Sequence, residues 1–454
     1  MPTAYTILFL LLILVAAPTW IIPAGSYDYV DGVPVAGTYH TVEQNPQGVG
    51  DVLKAAFSGF YDAVDVCIFI LMVGGFLGVV MKTGAVDAGV GNVIRLLGGR
   101  EKWLIPILML LFGLGGTTYG MWEETMAFYP LLIPVFLAAG YDAVVGISVI
   151  LLGAGAGVIA STVNPFATGI AAGFAGVSLG EGIVLRLLEW VAFEAAAIWF
   201  VMAYAAKVKK NPSKSVVGVG AGKIQVSMDQ QVPFTAKRKV IMALFTLTFL
   251  IMVYAVVPFD EMGLSLPALG WWFPELSALF LVAGVVIGLI DRMSEEELVE
   301  TYVAGCADLL GVAFIIGISR GITVLMNDGA ITDTVLHWGE EALAGAGSIS
   351  FVLLVFLIYL PLTILIPSSS GLATLSIPIV APLGKFAGVG GDLVVTAFQS
   401  ASGLVNIITP TAAVVMGALA LGHVPYDRWV KYVWKLILWF LLLALAFLVA
   451  GVLL

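Results

Sequence analysis

Apolar segments recur from one end of this chain to the other: Asp62 to Met81, Gly182 to Ala206, Val240 to Val257, Leu276 to Ile290 and Trp429 to Leu454 are the clearest. Where water is absent, a backbone must satisfy its own N–H and C=O groups, which a single segment can do only as a helix, and a bilayer core takes about 20 apolar residues per span. Composition agrees: 60% of residues are hydrophobic and 11% charged, with a mean hydropathy of +1.06, values far from those of soluble domains. The 454 residues leave room for about ten spans. The expected fold is therefore an all-α polytopic membrane protein, with the lipid bilayer as its first partner.

Charge sets the orientation. The first apolar run, Tyr5 to Ile22, lacks the basic leader and cleavage site of a signal peptide and reads as a retained helix. Ala24 to Phe60 carries Asp28, Asp31, Glu43 and Asp51 against Lys54, so it reads as an external loop. Lys207 to Lys239, by contrast, also holds Lys209, Lys210, Lys214, Lys223, Lys237 and Arg238. The positive-inside rule puts that stretch, and hence the amino terminus, on the cytoplasmic side of the membrane. A net charge of −10 and a pI near 4.8 argue against a nucleic-acid partner. Neither a phosphate-cradling nor a metal-binding motif is present, so no cofactor is expected. Cys67 and Cys306 sit in apolar segments as small hydrophobes, while His40, His337 and His423 read as solvated side chains.

The segments also repeat. Asp62 to Met81 is followed by a short amphipathic stretch, Val86 to Arg100, and by an apolar stretch from Trp103 to Ala139. That stretch is interrupted at Gly115 to Glu124 and reads as a re-entrant hairpin. A helix from Tyr141 broken near Asn164-Pro165 and the segment Gly182 to Ala206 complete the series. After two connecting helices, the same order returns. It runs through Asp308 to Met326, an interfacial stretch at Ile331 to Ala344, a hairpin interrupted at Pro367 to Gly371, a helix broken near Asn406 to Pro410, and the last span. Lys82-Thr83-Gly84-Ala85 matches Asn327-Asp328-Gly329-Ala330 at an offset of 245, and Asn164 matches Asn406 at 242. One copy begins outside and the other inside, so the repeats are inverted. The chain divides into residues 1–50 (first helix and external loop), 51–207 (repeat 1), 208–292 (basic loop and connecting helices) and 293–454 (repeat 2).

Breaking a helix at membrane depth costs several kcal/mol per unpaired backbone group unless protein, water or a ligand satisfies it. The breaks are rich in hydroxyl and amide groups. Thr117 and Thr118 lie in the first hairpin, with Ser161, Thr162, Asn164 and Thr168 after it. Ser368, Ser369, Ser370, Ser400, Ser402, Asn406, Thr409 and Thr411 lie in the second half. Scattered hydroxyls often serve only close helix packing, but the clusters around Asn164 and Asn406 are symmetric. Oxygen ligands of this kind suit sodium, and half-helix amino termini suit carboxylates. Ser161, Thr162, Asn164, Ser402, Asn406 and Thr411 are the coupling-ion candidates. The substrate candidates are Thr117, Thr118, Glu123, Glu124, Asn164, Arg320, Ser368, Ser369, Ser370, Asn406 and Thr409.

Three charges break the symmetry. Glu123 and Glu124 stand at the first hairpin tip where the second copy has Gly371 and Leu372, and Arg320 replaces the Gly75 of the first copy. A charge at that depth needs a partner, which for Arg320 is a glutamate of the site or a substrate carboxylate. Glu194, midway along Gly182 to Ala206, is expected to pair with a neighbouring helix or to carry a proton.

The sequences GGTTYGMWEETMAFYPLLIP, STVNPFATG and LIPSSSGLATLSIP resemble those of the YfcC-like branch of the C4-dicarboxylate anaerobic carrier and basic amino-acid antiporter group, within the ion transporter superfamily. The resemblance covers nearly the whole chain. It implies two inverted repeats, a homodimer and elevator-type motion, with the hairpin tips and the breaks at Asn164 and Asn406 lining the substrate and ion sites. The resemblance leaves both substrate classes open. Two glutamates at a hairpin tip oppose a dianion and suit a cationic side chain, which favours basic amino acids such as arginine and ornithine over C4-dicarboxylates. The expected function is secondary active transport, coupled to sodium or protons. A channel has no need of paired hairpins sealing from opposite sides, and no His partner, metal motif or nucleophile elbow supports an intramembrane enzyme.

Overall fold

The computed structural model describes residues 4–30, 33–86, 88–89, 100–118, 120–178, 180–218, 233–256, 266–271 and 273–454. The amphipathic stretch Val86 to Arg100, Lys223 and the carboxyl end of the first connecting helix lie largely outside them. Seventeen α-helices and four two-residue strands make up the described residues.

Helix α1 (Ala4–Ala16) leads through a short 3-10 turn (Ala17–Trp20) into a loop that carries the four strands. Two small hairpins pair β1 (Gly25–Ser26) with β4 (His40–Thr41) and β2 (Tyr29–Val30) with β3 (Val33–Pro34). Helices α2 (Val49–Asp62), α3 (Val64–Lys82), α4 (Leu104–Thr118), α5 (Tyr129–Ala138), α6 (Ala143–Ile159), α7 (Ile170–Ala175) and α8 (Ile183–Lys210) form the first series. The connecting pair is α9 (Ala236–Val256) and α10 (Phe273–Asp291). Helices α11 (Glu295–Asp328), α12 (Thr332–Leu343), α13 (Ser348–Leu365), α14 (Ser369–Phe386), α15 (Gly391–Asn406), α16 (Ala413–Leu421) and α17 (Tyr426–Leu453) form the second. Five of the described helices, α3, α10, α11, α13 and α17, are each long and apolar enough to cross a membrane.

Both hairpins and both broken helices occur where the interruptions predict them. Helices α4 and α5 flank the first tip, α13 and α14 the second, while α6 and α15 end at Ile159 and Asn406. One expectation is corrected: the carboxyl half of the stretch expected to be an external loop is helix α2. Its buried Val52, Ala55, Ala56 and Gly59 recur at the helical spacing i, i+3, i+4, i+7, a pattern that the acidic residues around it obscure. The repeat explains this helix. The long α11 corresponds in the first copy to α2 and α3 together, which are separated only by Ala63 (φ −121°, ψ 24°). Both first-copy helices lie against α11 through glycines. A Cβ on Gly59 would stand 2.1 Å from Gly317 O, and one on Gly74 2.5 Å from Gly305 O. Only bare backbone allows that approach, the familiar use of small residues where helices meet in a membrane.

The two halves meet at α6 and α15, and there the packing is reciprocal. A Cβ on Gly155 would meet Ile407, and a Cβ on Gly403 would meet Ile159. The pairs Gly155/Gly403 and Ile159/Ile407 share one offset, 248 residues, so each half places a glycine against the isoleucine of the other. This is the contact pattern of a pseudo-two-fold axis. The chain is an all-α polytopic membrane protein built from two inverted repeats, each with a re-entrant hairpin and a broken helix.

Candidate functional site

Each broken helix ends beside a hairpin tip because its last carbonyls need partners that water cannot supply. In the first half the partner is Thr117. Its hydroxyl donates to Ala160 O at 2.8 Å, while its carbonyl accepts from Thr162 N at 2.9 Å and from the Thr162 hydroxyl, also at 2.9 Å. The tip and the break are thus stitched at one residue. Gly120 follows at φ +78°, and a Cβ there would fall 2.5 Å from Asn164 Oδ1. Asn164 is buried; its Oδ1 accepts from Ala167 N at 3.3 Å, and its carbonyl accepts from Gly169 N at 2.8 Å across the π-turn Pro165–Gly169.

In the second half Ser368 caps α14, accepting from Gly371 N at 3.2 Å, and its hydroxyl lies 3.4 Å from that of Ser370. Thr409 and Thr411 share a hydroxyl–hydroxyl bond of 2.8 Å, and Ser319 of α11 donates to Thr411 O. Among the described residues, four buried oxygens near the breaks have no hydrogen-bond partner: Ser161 Oγ, Thr168 Oγ1, Ser402 Oγ and Asn406 Oδ1. Two belong to each half, the symmetry the sequence anticipates.

A small cavity of about 40 Å³ joins the two halves. Trp122 and Glu123 of the first hairpin tip, Pro367 of the second, Ser319 and Arg320 of α11, and Thr411 to Val414 at the start of α16 line it, with Ala63, Val66 and Ile316 completing the wall. Of the expected substrate residues, Glu123 and Arg320 therefore face one cavity. Thr117 at the first hairpin, and Asn164, Asn406 and Thr409 at the breaks, are not among its lining residues. Thr118 turns its hydroxyl back onto Leu114 O, 2.6 Å away, and Ser368 to Ser370 belong to the second tip beside Pro367. Glu124 is buried beneath its neighbour and accepts from Trp122 N at 3.1 Å.

Arg320 differs from expectation in its partner. Its Nε lies 3.6 Å from Asp62 Oδ2, at the end of α2, so the ion pair is made neither with Glu123 nor with Glu124. Asp62 escaped notice because it sits at the edge of an apolar segment, where an acidic residue reads as a helix boundary. Ser319 and Trp122 are further lining residues that the sequence does not single out, although Trp122 stands within the hairpin motif. Glu194 has no ion pair among the described residues; it packs against Gly113, where a Cβ would stand 2.4 Å from its Oε2. The same helix carries a second buried glutamate, Glu189, which accepts from Ser400 Oγ at 2.7 Å. His337 is not a simple solvated side chain: it stacks on Tyr39 at 4.0 Å and lies 3.2 Å from Glu340.

The model of the family described as C4-dicarboxylate anaerobic carrier, DcuC, matches residues 1–453. This chain belongs to the DcuC family. It is 35% identical to an uncharacterised protein of Haemophilus influenzae Rd, over 96% of this chain and 94% of that one. It is 29% identical to the Escherichia coli K12 protein named "Putative basic amino acid antiporter YfcC", over 95% and 92% respectively. The solved YdaH transporter of Alcanivorax borkumensis shares 14% identity over 98% of each chain, at a TM-score of 0.43, a likeness too loose to bear on the site. Membership of the DcuC family makes the chain a multi-pass membrane transporter.

Proposed function

We propose that the chain is a secondary active transporter of the prokaryotic inner membrane, amino terminus inside, that moves a small carboxylate-bearing metabolite, with basic amino acids favoured. The observation that carries this reading is the placement of Glu123 and Arg320 on one cavity between the two hairpin tips. An amino acid needs both signs of charge within one site. Its carboxylate finds Arg320 and the N–H groups at the amino end of α16, where Ala413 and Val414 reach the cavity wall; a cationic side chain finds Glu123. Asp62 holds the Arg320 guanidinium at one edge, leaving its other donors for a ligand.

The unpartnered oxygens of Ser161, Thr168, Ser402 and Asn406, with Asn164, Thr162 and Thr411 beside them, suit a hard cation, so sodium is favoured over protons as the coupling ion. Residues 51–207 and 293–454 act as the inverted repeats. Binding neutralises the charges facing the cavity, which lowers the cost of carrying the hairpins and broken helices past a scaffold of α1 and the connecting helices as an elevator, in a homodimer.

A second reading has its own support. The family description names C4-dicarboxylates, and Arg320 together with the α16 terminus would hold one of two carboxylates, provided that Glu123 is protonated. Counterflow of labelled arginine, ornithine, succinate and fumarate in vesicles of the purified protein, with and without sodium, separates the two. Arginine or ornithine exchange lost in Glu123→Gln supports the first reading. Dicarboxylate uptake that Glu123→Gln leaves intact or improves would establish the second.

A further inference from the structure

The basic end of α8 faces the amino end of α17 across a groove of about 580 Å³. Lys207 on α8, Lys214 on the turn that follows, and Lys431 and Lys435 on α17 converge on it, and all four side chains are exposed. Farther along the same helices Trp199 and Trp439 form the groove's apolar wall, stacked with ring centroids 6.2 Å apart and 65% and 58% exposed.

Lysines and tryptophans are common at any bilayer edge. What sets these apart is that the turn bearing Lys214 is built into position. Asn211 accepts from Ser213 N at 3.1 Å, Ser215 donates to Asp142 Oδ2 at 2.7 Å, and Val216 N donates to the Tyr204 hydroxyl at 3.1 Å. Tyr204 donates in turn to Asp142 at 2.5 Å. Asp142, the cap of α6, is thereby used up, and the lysines keep little acid near them: only Lys431 has an acidic neighbour among the described ion pairs, Asp427 at 3.7 Å. Lys435 lies over the Trp434 ring at 5.6 Å. Four ammonium groups thus share one groove against a single carboxylate.

We propose that this groove binds one anionic diacyl phospholipid, its phosphate among the four lysines and its acyl chains along Trp199 and Trp439. The geometry has the right depth. Trp199 lies eight residues before Lys207 on α8, roughly 12 Å along the axis, and Trp439 lies one turn beyond Lys435, so charge gives way to apolar surface in the order that headgroup and glycerol give way to chains. The positive-inside rule assigns this end to the cytoplasmic leaflet, where basic pockets between helices take anionic headgroups. The site is separate from the transport cavity, and the proposal stands whichever substrate is carried.

Native mass spectrometry of the full-length protein, released from micelles holding equal amounts of phosphatidylglycerol and phosphatidylcholine of the same acyl chains, tests it. The expected result is one phosphatidylglycerol retained at least fivefold over phosphatidylcholine. That preference should vanish when Lys207, Lys214, Lys431 and Lys435 are all changed to Gln and persist when all four become Arg. The pair Lys431→Gln and Lys435→Gln, confined to α17, should lose part of it and remains readable if the quadruple variant does not fold. No preference in the natural protein, or a preference unchanged in the Gln variants, would overturn the proposal. Displacement of the lipid by millimolar inorganic phosphate would do so too, because the groove would then be a site for soluble phosphate.

Discussion

Arg320 pairs with Asp62, 3.6 Å away across the joint between α2 and α3, and not with the glutamates of the hairpin tip. Both partners are partly exposed, 29% and 51% in their side chains, and an exposed pair contributes only about 0–1 kcal/mol to stability. The pair is therefore better suited to orienting the guanidinium than to holding the fold. Asp62→Asn should leave the melting temperature nearly unchanged. Arg320→Gln should weaken substrate binding by roughly 10- to 150-fold, the loss of one charge-assisted hydrogen bond. Thermal unfolding and transport kinetics measured on the same preparations check the split; a large stability loss in Asp62→Asn would mean that the pair is structural.

Thr117 stitches the first hairpin to the first break, and its hydroxyl serves Ala160 O. Thr117→Val keeps the shape and removes the donor, leaving a buried carbonyl unpaired at a cost of about 1–3 kcal/mol. Thr117→Ser should retain most of the stability. A valine variant as stable as the natural protein would show that the carbonyl finds another partner.

At Gly120 the backbone has φ +78° and the Asn164 side chain occupies the space of a Cβ. Alanine there is strained and displaces Asn164. Gly120→Ala should therefore raise the sodium concentration needed for half-maximal transport, with a smaller effect on folding. Unaltered ion dependence in that variant would remove Asn164 from the ion site.

The loop between α1 and α2 is anchored by buried Asp333, which accepts from Tyr27 N at 3.0 Å and from the Tyr29 hydroxyl at 2.7 Å. Burial, and then the bond to Asp333, push the Tyr29 phenol above its ordinary value of 10.0. A group raised in this way lends its stability in full below the unfolded value and loses it as pH climbs from there through the folded one, so the loop should loosen progressively above pH 10. Asp333→Ala should cost about 1.5–3 kcal/mol per bond removed and bring Tyr29 back toward ordinary titration. Ultraviolet titration of the phenols, with limited proteolysis of the loop, checks both.

Much of this molecule is legible in its residues because membrane physics leaves few options. Apolar length dictates helices, the Gly- and Pro-marked interruptions dictate hairpins and breaks, and the matching of Asn164 with Asn406 reveals the inverted repeat before any contact is known. Each of these signals is local in sequence, or a comparison of two local signals. Helix α2 was within reach by the same logic, since its buried positions keep helical spacing and α11 supplies its counterpart.

Pairing was not within reach. That Arg320 meets Asp62, that Gly155 and Gly403 each seat the other half's isoleucine, and that lysines from α8, its following turn and α17 share one groove depend on where separate helices pass one another. Those crossings are set by which glycines let backbones approach to within a few ångströms, and a sequence names the glycines without naming the surface that each one faces. Secondary structure here follows from the solvent; the site follows from the packing.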